Sequence, residues 1–116
     1  MPHQQVSQLL HEIEQELKQL SLWQSEQPPA STLRSQQPFA VDTLAFHQWL
    51  QFIMIPRMHS MVAARQPLPS QVAISPMAAQ VYKGQLKQHR LLIGHLRRLD
   101  IVLSGKDPLQ PDDTSV

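Results

Sequence analysis

The sequence predicts an all-α, single-domain helical bundle of three long helices and one short one, with the central helix kinked at Pro56. Three observations carry that prediction. Apolar residues recur three or four positions apart in Val6, Leu9, Leu10, Ile13, Leu17 and Leu20, and again in Leu92, Leu96, Leu99 and Leu103, the period of one helix face. Strand signals are nearly absent: no run alternates apolar and polar residues with β-branched enrichment, and no Asn-Gly or Asp-Gly turn occurs. A chain of 116 residues that is 41% hydrophobic can build one core without disulfides or metal.

The first helix is expected over residues 3–23, with Glu12, Glu14, Glu16 and Lys18 keeping its outer side wet. Residues 24–41 then form a long loop with three prolines. Loops of this length are functional or disordered, and the apolar Leu33, Phe39 and Val41 argue that this one is partly pinned to the body. Asp42 or Thr43 offers an N-cap oxygen to a second helix over 43–65. Its apolar residues, from Leu44 to Val62, crowd most of its circumference, so it is expected inside the bundle. Pro56 lacks an N–H and crowds the carbonyl of Phe52, a local cost of roughly 3 kcal/mol unless the helix bends.

After a proline-marked loop, Ser75 reads as an N-cap and Pro76 as the first residue of a short helix over 76–83. Gly84 stops it. The last helix is expected over 87–103 and ends at Ser104-Gly105. The bundle domain therefore covers 1–104, with 105–116 as a flexible acidic tail.

The bulk composition excludes several classes. There is no cysteine, which removes thiolate catalysis, zinc fingers and iron–sulfur clusters and suits a reducing compartment. A net charge of +1 argues against a dedicated nucleic-acid binder. The N-terminal stretch has no basic region followed by an apolar core, so no secretion signal is expected there. The best membrane candidate, residues 44–63, holds His47, Gln48, Gln51, Arg57 and His59. Its arginine alone would cost roughly 2.5–3.5 kcal/mol at mid-bilayer, so no membrane span is expected.

Catalytic patterns are missing too. Six histidines include no pair three or four apart and no Glu-x-x-His, the spacings that place two metal ligands on one helix. Glu12 and Glu16 share a helix face, which a solvated surface explains. No nucleophile elbow and no glycine-rich phosphate loop occurs. The sequence therefore predicts no enzyme, no cofactor and no metal.

Two surfaces stand out. The first gathers Phe39, Asp42, Trp49, Arg57 and His59, from the long loop and the helix it leads into. Arg57 falls just past the kink, either paired with Asp42 or open to a partner, and Met54, Met58 and Met61 step along the same helix. The second is the basic last helix: Lys87, Arg90 and Arg97 share one side with Gly94 between them, and Arg98 follows. Arginines grip phosphates, yet no aromatic residue stands among these charges to stack a base. A solvated basic face is the simpler reading, with nucleic acid not the expected partner.

The segments QPF at 37–39, DT at 42–43, WLQ at 49–51, IPRM at 55–58, PLP at 67–69 and SP at 75–76, with the leucine-rich last helix, resemble the YqcC-like family of small bacterial proteins of unknown function. The resemblance runs from about residue 5 to 104. It implies a small helical bundle in the cytoplasm of a gammaproteobacterium and brings no catalytic residues with it. Members often neighbour a tRNA pseudouridine synthase gene, which implies an association with RNA modification. The leading expectation is a non-enzymatic adaptor that binds a protein partner or itself, as a dimer. The alternatives are an accessory factor for tRNA modification that touches RNA through the last helix, and a small-ligand site beside helix two under the proline-rich loop.

Overall fold

The computed structural model describes residues 2–29, 31 and 44–109. Within them four helices and their connections form the bundle, and no strand occurs.

Helix α1 covers Pro2–Gln19 and completely buries Val6, Leu10, Ile13 and Leu17, the face its spacing selects. It ends before Trp23 because Ser21 takes a left-handed conformation, φ 61°. The Leu22 N–H then bonds the Leu17 carbonyl at 2.8 Å, and the Ser21 N–H bonds that of Lys18 at 3.1 Å. This paired closure satisfies the last carbonyls and turns Leu22 and Trp23 onto the core. Lys18 Nζ lies 5.4 Å from the centre of the Trp23 ring, within cation–π range.

Helix α2, residues 46–63, is built from an α turn Phe46–Trp49, a π turn Leu50–Met54 and an α segment Ile55–Ala63. It starts later than expected, with Ala45 at the N-cap; Asp42 and Thr43 lie outside the described residues. Alanine has no capping oxygen, and Gln48 supplies half of a reciprocal cap by accepting the Ala45 N–H at 2.8 Å.

The perturbation expected at Pro56 takes the form of the π turn. The Ile55 N–H reaches back five residues to the Leu50 carbonyl, so the ladder is shifted by one position before the missing donor arrives. A widened turn thereby absorbs what an α ladder would register as a lost bond. Arg65 closes the helix with φ 55°, the Gln66 N–H bonding the Met61 carbonyl at 2.9 Å.

Helix α3 covers Ser75–Val81 and α4 covers Arg90–Ser104. The last helix begins at Arg90 rather than 87 because the chain turns through residues 82–89. There His89 lies flat on Tyr82, ring centroids 3.9 Å apart and planes 9° apart. Tyr82 also meets Phe46 edge-on at 6.1 Å, and Phe46 stacks beside Trp49. Gly105, φ 77°, ends α4 by donating to the Ile101 carbonyl at 2.8 Å.

Helix α1 packs on α4 and on the second half of α2, and α3 packs on α4. Leu50, Met54 and Met58 meet the α1 leucines and the buried Leu92, Leu96 and Leu99 in one core. The enclosure expected for α2 holds on one side only. Pro56, Arg57, His59 and Ser60 are exposed.

Candidate functional site

One side of α2 carries Trp49, Ile53, Arg57 and Met61 at intervals of four, which aligns them along the helix. With Met54 and Met58 they form one wall and the floor of a groove of about 300 Å³, and Pro69 and residues 71–74 form the other wall. The floor is deep: Met54, Met58 and Ile74 are buried.

The second wall is held from below by an acid of α4 that the sequence patterns did not single out. Asp100, on α4, is completely buried. Its carboxylate accepts the Ile74 N–H at 2.9 Å, the Ser75 N–H at 2.8 Å and the Ser75 hydroxyl at 2.7 Å. Ser75 is therefore not the N-cap of α3; it lies inside the helix, and an acid from another helix does the capping. A carboxylate at a helix N-terminus also meets the positive end of the helix dipole. Burial pushes the Asp100 carboxyl above its ordinary range, while the donors from Ile74 and Ser75 pull it back.

A second tie holds the other end of α2. Gln51 is buried, accepts the Gln24 N–H at 2.9 Å and donates to the Gln24 carbonyl at 2.6 Å. Gln48 adds a bond to the Gln24 side chain at 3.1 Å. The sequence reading singled out WLQ at 49–51 without seeing that its glutamine is a clasp. His47 beside it is half-buried, and burial holds its imidazole below the ordinary range against a hydrogen bond to the Leu22 backbone.

Of the first predicted surface, the structure brings together Trp49 and Arg57. His59 is exposed on another side of α2 and does not line the groove. Phe39 and Asp42 lie outside the described residues. Of the second, Lys87, Arg90 and Arg98 are exposed, and Arg97 is not free. The turn at Gly105 brings Asp107 back against α4, where its Oδ2 accepts Arg97 Nε–H at 2.7 Å. Asp107 belongs to the segment expected as a flexible tail, and residues 110–116 of it lie outside the described residues.

Among the described residues no group of three or more His, Asp or Glu gathers as a metal site, and no helix is long and apolar enough to cross a membrane. Tyr82 Oη and His47 Nδ1 are buried with no hydrogen-bond partner among the described residues. His95 Nδ1 has only Glu12 Oε2 at 3.6 Å, too long for a hydrogen bond.

A family model described as DUF446, tRNA pseudouridine synthase C, matches residues 5–102. The chain belongs to this family. Within DUF446 it is similar to YqcC of Escherichia coli K12, an uncharacterized protein, at 31% identity over 102 residues, covering 88% of this chain and 94% of YqcC. The solution NMR structure of E. coli YqcC superposes with a TM-score of 0.80 at 30% identity, over 95% of this chain and 94% of that one. An uncharacterized protein of Haemophilus influenzae is 37% identical over 88 residues, 76% of this chain and 83% of its own length. A protein of Pectobacterium carotovorum named tRNA pseudouridine synthase C is 33% identical over 86 residues, covering 74% of this chain and 23% of that protein.

Proposed function

We propose that this chain is a non-enzymatic protein-binding module that works beside a tRNA pseudouridine synthase. One observation carries the reading: a segment similar to most of this chain makes up 23% of the Pectobacterium protein that bears the synthase name. Two modules joined in one polypeptide meet at a high effective concentration, so a separate copy of the smaller one has the same partner to find. The groove along α2 supports a binding role, since it pairs apolar depth with an exposed cation. A chain without cysteine suits the reducing cytoplasm in which tRNA is modified.

The test is titration of the purified chain into tRNA pseudouridine synthase C from the same organism, followed by calorimetry and by light scattering after size exclusion. A complex with a Kd in the micromolar range, about −8 kcal/mol, is expected. Trp49→Ala and Arg57→Ala should weaken it. Absence of any complex at about 100 μM of each protein would overturn the reading, and a homodimer that excludes the synthase would redirect it to self-association.

A second reading, direct contact with the tRNA, has its own observation. Residues 43–99 contain seven Lys and Arg and no Asp or Glu, and Lys87, Arg90 and Arg98 stand exposed at and along α4. Three phosphate contacts give a log–log salt slope of about −2 to −3. Unmodified tRNA should bind at low salt and lose affinity in the Lys87→Ala, Arg90→Ala, Arg98→Ala triple variant. No binding at about 50 mM salt would end this reading.

A further inference from the structure

Arg57 is the only charge on the line Trp49, Ile53, Arg57, Met61. It is exposed, and among the described residues no carboxylate meets its guanidinium. Several acids of the described residues are engaged elsewhere. Asp100 is clamped on Ile74 and Ser75, Asp107 on Arg97, and Glu14 on Lys18. Nothing acidic lies in residues 43–99, which include both walls of the groove. A cation presented by apolar walls, with no carboxylate beside it among the described residues, is complementary to an anion carried on an apolar surface.

The dimensions narrow the occupant. At 1.5 Å rise per residue, Ile53 and Met61 stand about 6 Å on either side of Arg57. A second helix presents side chains with the same rise at its own positions i, i+4 and i+8. A groove of about 300 Å³ sits at the small end of small-molecule pockets, and one cation is too few for a phosphate backbone. The methionine floor is soft and adapts to the shape seated on it. The far wall is fixed in advance by the Asp100 clamp, which lowers the ordering cost of binding.

From these features we infer that the groove binds an amphipathic helix of a partner protein. That helix carries an acidic residue between two apolar anchors. The carboxylate pairs with Arg57, and the anchors seat on Ile53 to one side and on Met58 and Met61 to the other. The inference rests on the protein-binding reading above and adds the chemistry of what is bound.

The probes are three helix-stabilised peptides of about 15–20 residues, alike except at one position. Each has leucine four residues before and four residues after a central Glu, Gln or Lys. Binding is followed by the methyl signals of Ile53, Met58 and Met61 in the labelled full chain. The Glu peptide should bind at least tenfold tighter than the Lys peptide, with Gln between them. The order should reverse in Arg57→Glu, a surface change whose amide spectrum reports whether the fold is kept.

No methyl shift at about 1 mM Glu peptide would overturn the inference. So would equal binding of all three peptides, or shifts confined to α4. The synthase titration separates the two proposals. Failure of the synthase to bind while the Glu peptide behaves as expected removes the synthase and keeps the groove chemistry. Undiminished binding of the synthase to Arg57→Glu keeps the synthase and removes the groove.

Discussion

Asp100 caps the helix that Ser75 begins: its Oδ2 accepts the Ser75 N–H at 2.8 Å and the Ser75 hydroxyl at 2.7 Å, across 25 residues of sequence. The same carboxylate holds the Ile74 N–H, so three donors in the core depend on one acid. Each buried donor left unpaired costs about 1–3 kcal/mol. Asp100→Ala should therefore destabilise the chain by about 3 kcal/mol or more, lowering Tm by roughly 12–24 °C for a domain of this size. Ser75→Ala removes only the hydroxyl and should cost about 1 kcal/mol. Thermal unfolding followed by circular dichroism checks both, and an Asp100→Ala midpoint close to wild type would contradict the clamp.

The pH dependence of stability has two opposed contributions. Burial raises the Asp100 carboxyl, so the folded chain holds that proton to a higher pH than the unfolded chain does. Between the ordinary carboxylate value and the raised one the folded state binds more protons, and stability falls as pH rises through that window. His47 is lowered by burial. The folded state then binds fewer protons there, and stability falls as pH drops below the ordinary imidazole value. Urea unfolding across the acid range should show the first slope disappear in Asp100→Asn and the second in His47→Gln. Unchanged slopes would contradict the assignments.

How much of this was legible in the sequence depended on periodicity. Helices α1 and α4 and their inward residues follow from spacing alone, whereas α2 was announced by its all-round apolar residues and α3 by Ser75-Pro76 and Gly84. The helix ends moved because capping came from elsewhere: Ser21 closes α1 in a left-handed turn, and Asp100 caps α3. Asp100 left a sign in the sequence, since it stands four residues after Leu96 on the inward side of the leucine stripe, where an acid has to be bonded. The π turn had no such sign, because Pro56 announces a disturbance without saying which form it takes. Arg57 and Trp49 line one groove because each stands four residues, about one turn, from Ile53 between them, whereas the His59 side chain, two residues past Arg57, points elsewhere.

The Gln51 clasp predicts a local effect. Replacing it by alanine strands both the N–H and the carbonyl of Gln24, which are half-buried. Gln51→Ala should cost about 2 kcal/mol and free the segment after α1 before the rest of the bundle. Hydrogen exchange should show protection falling first at Leu22–Gln24 amides. A uniform loss over all helices would mean that Gln51 supports the core rather than this connection.

Gly94 gives the prediction with the opposite sign. It lies inside α4, and a Cβ placed on it meets nothing within 4 Å. Glycine in a helix interior is about 0.8–1.0 kcal/mol less favourable than alanine, and no packing in the bundle repays that cost. Gly94→Ala should therefore raise Tm by roughly 3–8 °C. On the helix surface Gly94 stands between Arg90 and Arg98, four residues from each, and beside Leu91, which is 57% exposed. An added methyl group there leaves the three cations in place and narrows only the approach of another backbone. A stabilised Gly94→Ala chain with weaker tRNA binding would show that contact reaches the α4 backbone. If tRNA binding is unchanged while the triple cation variant loses it, the contact is made by the charges alone.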